Sequence, residues 1–311
     1  MKKFLLLLSL LPAVPGFAAD AGWDNRDCRF GTAQSSGTFT WPSGERYVGQ
    51  CQAGKFEGQG TVYFSSGDRY SGQWRNDQQN GQGEYFFANG DQYQGAWRDG
   101  KQNGQGTLVQ ANGDRYVGNW SNNRKNGQGT LYFANGERYA GQWSNDQIAG
   151  RGTYTWADGD TYVGQWRGGK QNGQGVLTRS NGERYEGTFR DNARQGQGTL
   201  NWANGNSYAG EWSSGKQQGE GIKTWPTGDR YEGQWDNDKM EGRGKYSWAN
   251  GNIYEGQFRD DEINGRGEYF WANGDHYIGQ WRAGKRNGSG IITWANGEKE
   301  NATFNDGERR N

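Results

Sequence analysis

The sequence predicts an all-β fold, an elongated single-layer antiparallel sheet made of tandem β-hairpins. Three observations support this prediction. The 311 residues include 56 Gly, and much of the apolar material is in large rings, with 16 Trp, 17 Tyr and 13 Phe. The mean hydropathy of −1.19 is typical of disorder, yet disordered chains are poor in aromatic residues. Finally, one pattern of Gly and aromatic residues recurs every 23 residues along nearly the whole chain.

The repeat is defined by eleven tyrosines, each standing 23 residues after the one before. A Gly follows two residues after each Tyr, and an aromatic residue, usually Trp, follows after four in every copy except the first, which has Cys51. Paired Gly residues stand eleven and thirteen positions after the Tyr, and another Gly stands three before it. Such strict register indicates an architecture in which neighbouring units pack on each other. The tyrosines are Tyr47, Tyr70, Tyr93, Tyr116, Tyr139, Tyr162, Tyr185, Tyr208, Tyr231, Tyr254 and Tyr277.

Each repeat unit is predicted to be one β-hairpin. Alternate residues of a strand share a face. A three-residue loop ending in Gly90, at positive φ, pairs Phe87 with Asp91 and gathers the aromatic residues of the hairpin on one face. A two-residue turn would divide them between both faces, so we favour the longer loop. This register places Tyr85 opposite Tyr93.

The glycines are expected to make room for the rings. In the same register Gly81 lies opposite Trp97, and we expect the indole to lie across the bare backbone there. The position of Tyr85 is apolar in every repeat except at Lys223, whereas the intervening face is mostly Thr. A ladder of partly covered rings would then replace the two-layered core of an ordinary domain and leave an aromatic face partly open.

The unit G-x-G-x-x-x-aromatic-x-x-G-x-x-Y-x-G-x-W resembles the MORN repeat, and the resemblance covers about residues 37–304. It implies about twelve tandem repeats in a hairpin solenoid. For function, it implies an extended platform that binds proteins or self-associates, with links to membrane phospholipids in some members. Because one scaffold serves several purposes, the resemblance predicts the fold more strongly than the function.

Both ends depart from the repeat. Residues 1–18 combine two lysines, an apolar run and small residues before a cleavage point after Ala18, as in a secretory signal peptide. We expect residues 19–36 to form a degenerate N-terminal cap, residues 37–298 the repeat array, and residues 299–311 a C-terminal cap and tail. The mature protein is therefore expected to be exported, either periplasmic in a bacterium with two membranes or secreted, with peripheral membrane association as an alternative.

The two cysteines, Cys28 and Cys51, occupy the Trp position of successive units. Equivalent positions of adjacent hairpins in a flat sheet lie about 10 Å apart, whereas a disulfide needs Cα atoms within about 7 Å. An oxidising compartment nevertheless permits the bond. We predict that it forms and that the N-terminal cap is strongly curled or irregular; the alternative is that both are small, unpaired cap residues.

Nothing in the sequence indicates an enzyme, a cofactor or a metal site. His276 is the one His, it stands where other repeats have mostly Arg or Gln, and no G-x-S-x-G turn accompanies it. The Gly-rich strings lack the Lys-Ser/Thr and the helix of a phosphate-binding loop. The acidic run 260–262 lies in a loop without an apolar pocket. A formal net charge of zero argues against nucleic acid as a partner.

Charged residues also follow the repeat. An acid stands two residues before most tyrosines, Arg stands one before several, and loops between repeats carry a basic residue such as Lys101, Lys170 or Lys216. Solubility and protection of sheet edges explain such rows. Contact with anionic headgroups or polyanionic glycans is the alternative.

We predict a non-catalytic scaffold that binds a protein partner, or a second copy of itself, through its aromatic face. Exposed apolar strips mark interfaces, and Tyr and Trp anchor them. The alternatives are recognition of an anionic phospholipid surface and binding of a cell-wall glycan, since sugar rings stack on aromatic ladders. The candidate binding residues are Tyr93, Trp97, Tyr116, Trp120, Tyr139, Trp143, Tyr162, Trp166, Tyr208, Trp212, Tyr231 and Trp235.

Overall fold

The computed structural model describes residues 22–310. The predicted signal peptide, residues 1–18, lies outside the described residues. The chain divides into two compact units, Met1–Ala157 and Asp158–Asn311, and in the described residues of each nearly all regular secondary structure is β-strand. Within the described part, no helix has the length and apolar character needed to cross a membrane.

Over residues 22–310, one short helix and eleven strands lie in the first unit and fourteen strands lie in the second. The elements of the first unit are α1 (Arg26–Phe30), β1 (Ser35–Thr40), β2 (Arg46–Gln52), β3 (Lys55–Tyr63), β4 (Arg69–Arg75), β5 (Gln78–Phe86), β6 (Gln92–Arg98), β7 (Lys101–Val109), β8 (Arg115–Ser121), β9 (Arg124–Tyr132), β10 (Arg138–Ser144) and β11 (Gln147–Thr155). Those of the second are β12 (Thr161–Arg167), β13 (Lys170–Thr178), β14 (Arg184–Arg190), β15 (Ala193–Asn201), β16 (Ser207–Ser213), β17 (Lys216–Thr224), β18 (Arg230–Asp236), β19 (Lys239–Ser247), β20 (Ile253–Arg259), β21 (Glu262–Phe270), β22 (His276–Arg282), β23 (Lys285–Thr293), β24 (Lys299–Asn305) and β25 (Glu308–Arg310).

Within each unit, every strand pairs antiparallel with its neighbours in sequence, as β5 does with β4 and β6, and β17 with β16 and β18. Substantial contacts between described elements of a unit are confined to such neighbours and to α1, so no second sheet covers either face. The fold class is therefore the predicted one: an all-β, single-layer antiparallel sheet of tandem hairpins.

The longer hairpin loops confirm the predicted register. The amide N–H of Phe87 donates to the carbonyl oxygen of Asp91 (2.9 Å), which closes a loop in which Gly90 has a φ of +92°. Tyr85 lies opposite Tyr93, as expected. A glycine at the positive-φ position is what this loop type requires.

Tight two-residue turns join each seven-residue strand to the next nine-residue strand. Asn76 and Asp77 both have positive φ, 48° and 68°, as in a type I′ turn. Beyond this turn the pairing shifts at a bulge, where Gly81 has a φ of +84°. A Cβ on Gly81 would first meet the side chain of Gln73, and a Cβ on Gly104, opposite Trp120, would meet only Ala96, so the predicted groove for the indole is wrong. Gly81 serves the positive φ of the bulge instead.

The rings that lie on bare backbone are those of tyrosine. Gly95 on β6 and Gly106 on β7 stand opposite each other, and a Cβ on either would collide with the Tyr93 ring. The same pair of glycines lies under Tyr116, where the residues are Gly118 and Gly129. Each Tyr therefore needs a Gly on its own strand and another on the next strand.

The N-terminal cap is irregular, as predicted. Cys28 on α1 forms a disulfide with Cys51 on β2, with the two Cα atoms 5.2 Å apart. Because α1 replaces the strand that a full repeat would contribute, the geometry of a flat sheet does not apply. Trp23 bridges to Phe39 and packs edge-on against it and against Phe56, which closes this end of the first unit.

The C-terminal segment continues the strand pattern. β24 pairs with β23, and β25 then pairs with β24. Phe304 lies opposite Gly288, in the place that Trp takes in other repeats, and is 3% exposed. It packs edge-on against Tyr277 at 5.4 Å and so completes the ladder at this end of the second unit.

Candidate binding surfaces

The structure places the twelve predicted binding residues in the core. Their side chains are at most 7% exposed, so the expected partly open aromatic face is corrected at these positions. A partner would reach these rings only if the layer above them moved. The residues are Tyr93, Trp97, Tyr116, Trp120, Tyr139, Trp143, Tyr162, Trp166, Tyr208, Trp212, Tyr231 and Trp235.

These residues form, within each unit, a ladder of alternating Tyr and Trp rings. Tyr93 lies edge-on to Trp97 of its own repeat (5.3 Å, 90°) and to Trp120 of the next repeat (5.2 Å, 84°). The Trp97 Nε1–H donates to the carbonyl oxygen of Gly83 (3.3 Å), and the Tyr93 hydroxyl donates to that of Ala96 (3.1 Å). The polar atom of each ring is thereby satisfied inside the sheet, as a buried ring requires.

A side chain nine residues after each Tyr covers the ring from above. Phe56 stacks on Tyr47 at 3.8 Å, and the Lys125 Nζ lies 5.2 Å from the Tyr116 ring and 5.4 Å from the Trp143 ring. Burial lowers the pKa of Lys125. The sequence analysis missed this position because its residues are all large but range from apolar to charged, so they form no pattern of hydrophobicity. They are Phe56, Gln79, Gln102, Lys125, Ile148, Gln171, Arg194, Gln217, Met240, Ile263 and Arg286.

A second aromatic row follows one edge of the second unit, and its rings are more open. We call it the rim row; its members stand seventeen residues after a repeat Tyr and directly before a long hairpin loop. Four of them are half-buried, and Trp294 is 40% exposed. In the first unit the residue type at this position varies: Phe64 is buried, and residue 110 is a glutamine. The rim row is Trp202, Trp225, Trp248, Trp271 and Trp294.

The rim row differs from the ladder in its hydrogen bonding. The ladder indoles of Trp212, Trp235 and Trp281 each donate Nε1–H to a glycine carbonyl oxygen, at 3.1–3.3 Å. Among residues 22–310, no acceptor lies within hydrogen-bonding distance of any rim-row indole N–H. The rim row therefore presents both apolar ring surface and unused donors. The sequence carried the signal, a Trp every 23 residues, but the Tyr and Trp pattern of the ladder drew the prediction elsewhere.

In the first unit, the face of the sheet opposite the Tyr and Trp ladder carries a row of arginines that pack against aromatic rings. Arg46 lies 5.2 Å from the Tyr63 ring and Arg69 lies 4.2 Å from the Phe86 ring. Arg115 and Arg138 both lie 5.6 Å from the ring of a tyrosine at position 132. Unlike Arg184 and Arg230 of the second unit, which pair with acids at 2.6 and 2.7 Å, these four arginines form no ion pair among the described residues. We call Arg46, Arg69, Arg115 and Arg138 the arginine row.

Other charged positions of the repeat link neighbouring repeats. Lys170 pairs with Asp191 at 3.5 Å, and the Lys216 Nζ donates to the Asn237 Oδ1 at 3.1 Å, in each case one repeat on. At the opposite edge, the Asp91 carboxylate accepts the backbone N–H of a residue in the next hairpin loop at 2.8 Å. These loop lysines are therefore engaged within the sheet.

No arrangement for catalysis is found in the described residues. His276 is half-buried and lies 3.6 Å from the Glu268 carboxylate. A groove of about 620 Å³ crosses the opposite face of the second unit, lined among others by Glu186, Glu220 and Ile222, and it is open to solvent. Within residues 22–310 no group of three His, Cys, Asp or Glu side chains is placed to hold a metal ion.

A family model of the MORN repeat matches twelve consecutive segments, from residues 29–46 to residues 277–299. The segments follow one another without a gap and cover most of the sequence. The chain belongs to the MORN-repeat family. From the second MORN repeat onward, every matched segment begins at one of the eleven repeat tyrosines, so the sequence-based resemblance is confirmed in register as well as in extent.

The MORN chain also has distant likenesses among solved structures. One is the TCP domain of Drosophila melanogaster SAS-4 in complex with a proline-rich motif of Ana2, at 18% identity and TM-score 0.35, covering 51% of this chain and 89% of that one. Another is the TCP10 domain of Danio rerio CPAP, at 13% identity and TM-score 0.36, covering 71% and 99%. Virginiamycin B lyase from Staphylococcus aureus has a TM-score of 0.13 at 10% identity, covering 91% and 87%. Likenesses this low carry no argument about this chain, and no curated protein matches it.

Proposed function

We propose that this MORN protein is a non-catalytic scaffold that binds a protein partner through the rim row. The observation that carries the proposal is the contrast between the two aromatic rows of the second unit. Trp212 and Trp235 are 3% exposed and bonded within the sheet, whereas Trp294 is 40% exposed and its indole N–H has no acceptor in the described part. Partly exposed Trp residues in a row are the residue type that most often anchors a protein interface.

Site-specific photo-crosslinking tests the proposal in cells that naturally contain the protein. A photo-reactive amino acid replaces Trp294 in the rim row, and a control chain carries it at Ile278, an exposed residue of the opposite face. We expect one discrete protein adduct, identified by mass spectrometry, from the rim position alone. The adduct should disappear when Trp225→Ala and Trp248→Ala are added. Equal adducts from both faces, or an adduct that survives the two substitutions, would remove the basis of the proposal.

A second candidate function, contact with an anionic surface, is favoured by the arginine row. Its guanidinium groups have no acidic partner among the described residues and lie 4.2–5.6 Å from the centroids of aromatic rings. The loop lysines, which the sequence suggested for this role, include Lys170 and Lys216, which are engaged within the sheet. Sedimentation with anionic vesicles should therefore weaken with Arg46→Gln/Arg115→Gln and not with Lys170→Gln/Lys216→Gln. Sedimentation that follows the lysines instead would exclude the arginine row.

Export to the periplasm or beyond is proposed on the character of residues 1–18 and on the disulfide between Cys28 and Cys51. Disulfides persist in oxidising compartments. Mass spectrometry of the purified protein should find an N-terminus at Ala19 and no free thiol. A chain that retains Met1 in the mature protein, or that carries two reduced cysteines in cells, would contradict this proposal.

A further inference from the structure

We propose that the rim row binds a polyproline II segment of the protein partner, that is, an extended proline-rich stretch with three residues per turn. The inference rests on the proposed function, because it names the kind of segment that a scaffold of this type would hold. Spacing, donor chemistry and ring arrangement each point to the same ligand.

The spacing of the rim row matches the turn of a polyproline II helix. Trp225 lies 5.4 Å and Trp248 lies 4.6 Å from the ring of Tyr246, so these two indoles are at most about 10 Å apart. Tyr269 likewise lies 5.2 Å from Trp248 and 4.9 Å from Trp271. Two strand spacings are about 9.6 Å, and one polyproline II turn rises about 9.3 Å. Each turn of such a ligand would therefore meet an equivalent Trp.

The donor chemistry of the rim row fits the same ligand. A polyproline II segment has solvated backbone carbonyls and, at its prolines, no N–H group. An indole Nε1–H is a donor only. The indoles of Trp225, Trp248 and Trp271 have no acceptor within residues 22–310, so they are free to donate to ligand carbonyls one turn apart. A ligand with many donors, such as a sugar, would find few acceptors on these rings.

The rings of this stretch are tilted to one another, and we infer that prolines pack between them. Tyr246 is tilted by 36° to Trp225 and by 43° to Trp248, and Trp271 is tilted by 57° to Tyr269. Packing of prolines against the edges of tilted rings does not need an open, flat ring face, whereas the stacking of a sugar ring does. Aromatic-lined grooves of this kind are how proline-rich segments are recognised in general.

The length of the site follows from the residues between the indoles. Lys223 takes the place of Tyr246 one repeat earlier, and its Nζ lies 5.7 Å from Trp202 and 5.1 Å from Trp225. This half-buried amine makes the step from Trp202 to Trp225 polar. The continuous aromatic stretch therefore runs over two repeats, from Trp225 to Trp271, and would hold about seven residues of polyproline II.

Fluorescence anisotropy of labelled peptides on the full mature chain tests the inference. The probes are oligoproline of about nine residues, a shorter one of about four, and a Gly/Ser peptide of the longer length. We expect binding of the long oligoproline only, and affinity at least about tenfold lower for Trp225→Ala/Trp248→Ala. The matched control Ile278→Ala/Ile291→Ala, on the opposite exposed face, should bind as the natural chain does.

If the double Ala variant loses its far-UV circular dichroism, Trp248→Phe replaces it, because this substitution keeps an aromatic ring and removes the N–H donor. We expect it to lower the affinity for oligoproline several-fold. The inference is overturned if Gly/Ser binds equally, if oligoproline does not bind, or if its binding ignores these substitutions. Failure of oligoproline together with a persisting, Trp225- and Trp248-dependent crosslink to a protein removes the inference and leaves the proposed function standing. Trp-dependent binding of soluble peptidoglycan fragments in place of oligoproline would assign the rim row to a glycan and remove both.

Discussion

At the scale of single residues, the fold depends on glycines that lie beneath tyrosine rings. Gly129 has ordinary φ, and its importance is steric: a Cβ there would enter the Tyr116 ring, which is 1% exposed and cannot move aside. This need differs from that of loop glycines, which serve positive φ. The sequence showed where both kinds of Gly stand but did not distinguish them, because spacing does not reveal which ring lies on which backbone.

Gly129→Ala should therefore lower the free energy of unfolding by about 2–3 kcal/mol, the usual cost of forcing extra volume into a packed core. Gly168→Ala is the matched control: nothing lies within 4 Å of its Cβ, and alanines at the same turn position, Ala53 and Ala283, have φ of 51° and 49°. We expect only the strain of an alanine at a φ of +56°, about 1 kcal/mol, and so a smaller loss than at Gly129. Thermal unfolding followed by circular dichroism measures both; equal losses would show that the rings do not confine Gly129.

Burial of the tyrosines also predicts how stability depends on pH. Loss of solvation raises the pKa of Tyr162 and of Tyr185 to about 12, from an ordinary value of 10.0. Below pH 10 the hydroxyl groups are neutral in both states, and between pH 10 and 12 only the unfolded chain releases these protons. The free energy of unfolding should fall as pH rises through this window. In a chain whose exposed Tyr63 and Tyr132 are replaced by Phe, tyrosinate absorbance should appear together with loss of circular dichroism. Ionisation of the ladder tyrosines at pH 10 in an intact sheet would contradict it.

At the scale of elements, turns of successive hairpins are tied to each other by side chains. The Asp146 carboxylate accepts the backbone N–H of Lys125, one repeat earlier, at 2.8 Å. In the first unit the Asn123 side-chain oxygen accepts the backbone N–H of residue 102 at 2.7 Å. In the second unit the Asn192 side-chain oxygen accepts the backbone N–H of residue 171 at 2.8 Å. An acceptor at this turn position therefore joins neighbouring repeats, whichever of the two side chains supplies it.

Asp146→Gly should cost about 1 kcal/mol, because it keeps the positive φ of 67° but leaves a buried N–H without its acceptor. Asp146→Asn retains the acceptor and loses only the attraction between the carboxylate and the buried Lys125 ammonium, so it should cost less than the glycine variant. Urea unfolding of the two variants gives the comparison. If both lose stability equally, the charge of Asp146 matters and the hydrogen bond does not.

The sequence specified the long hairpins better than the elements around them. Asn89 and Gly90 determine a loop length, and that length fixes which residues face each other, so the register was predictable. The tight turns depend on positive φ at Asp and Asn residues. Because these residues are also common in sequences that form no such turn, their presence did not predict the turns. Helix α1 was not predictable from a repeat, since Cys28 stands at a position that reads as strand everywhere else. The positions covering the tyrosines were hidden by their mixed polarity.

At the scale of the whole molecule, stability is the sum of contacts between neighbouring repeats. Deletion of residues 93–115, one complete repeat, joins Gln92 to Tyr116 and preserves every face of the following strands. Deletion of residues 93–114 leaves one extra residue and moves side chains to the wrong face at the junction. We expect the first variant to fold with a slightly lower unfolding temperature and the second to lose cooperative unfolding. Equal behaviour of the two would refute the register of the repeats.

Function at this scale depends on which aromatic residues remain available once the sheet has formed. Composition and periodicity indicated that a one-layer sheet would leave an aromatic face partly open, and this suggested a binding platform as a hypothesis. They did not show that Tyr and Trp of the ladder cover one another, so the candidate site was placed on the core. The rim row became apparent only from exposure and unused indole donors, which depend on the folded geometry.

Hydroxyl-radical footprinting read out by mass spectrometry tests the distinction between the buried ladder and the accessible rim row most directly. All Trp side chains share the same intrinsic reactivity, so differences in oxidation rate report exposure. The account predicts fast oxidation of the rim row, fastest at Trp294, and slow oxidation of the ladder residues Trp212, Trp235 and Trp281, which are 3–8% exposed. Ladder tryptophans that oxidise as fast as the rim row would contradict the claim that stacked tyrosines and their covering side chains close the core.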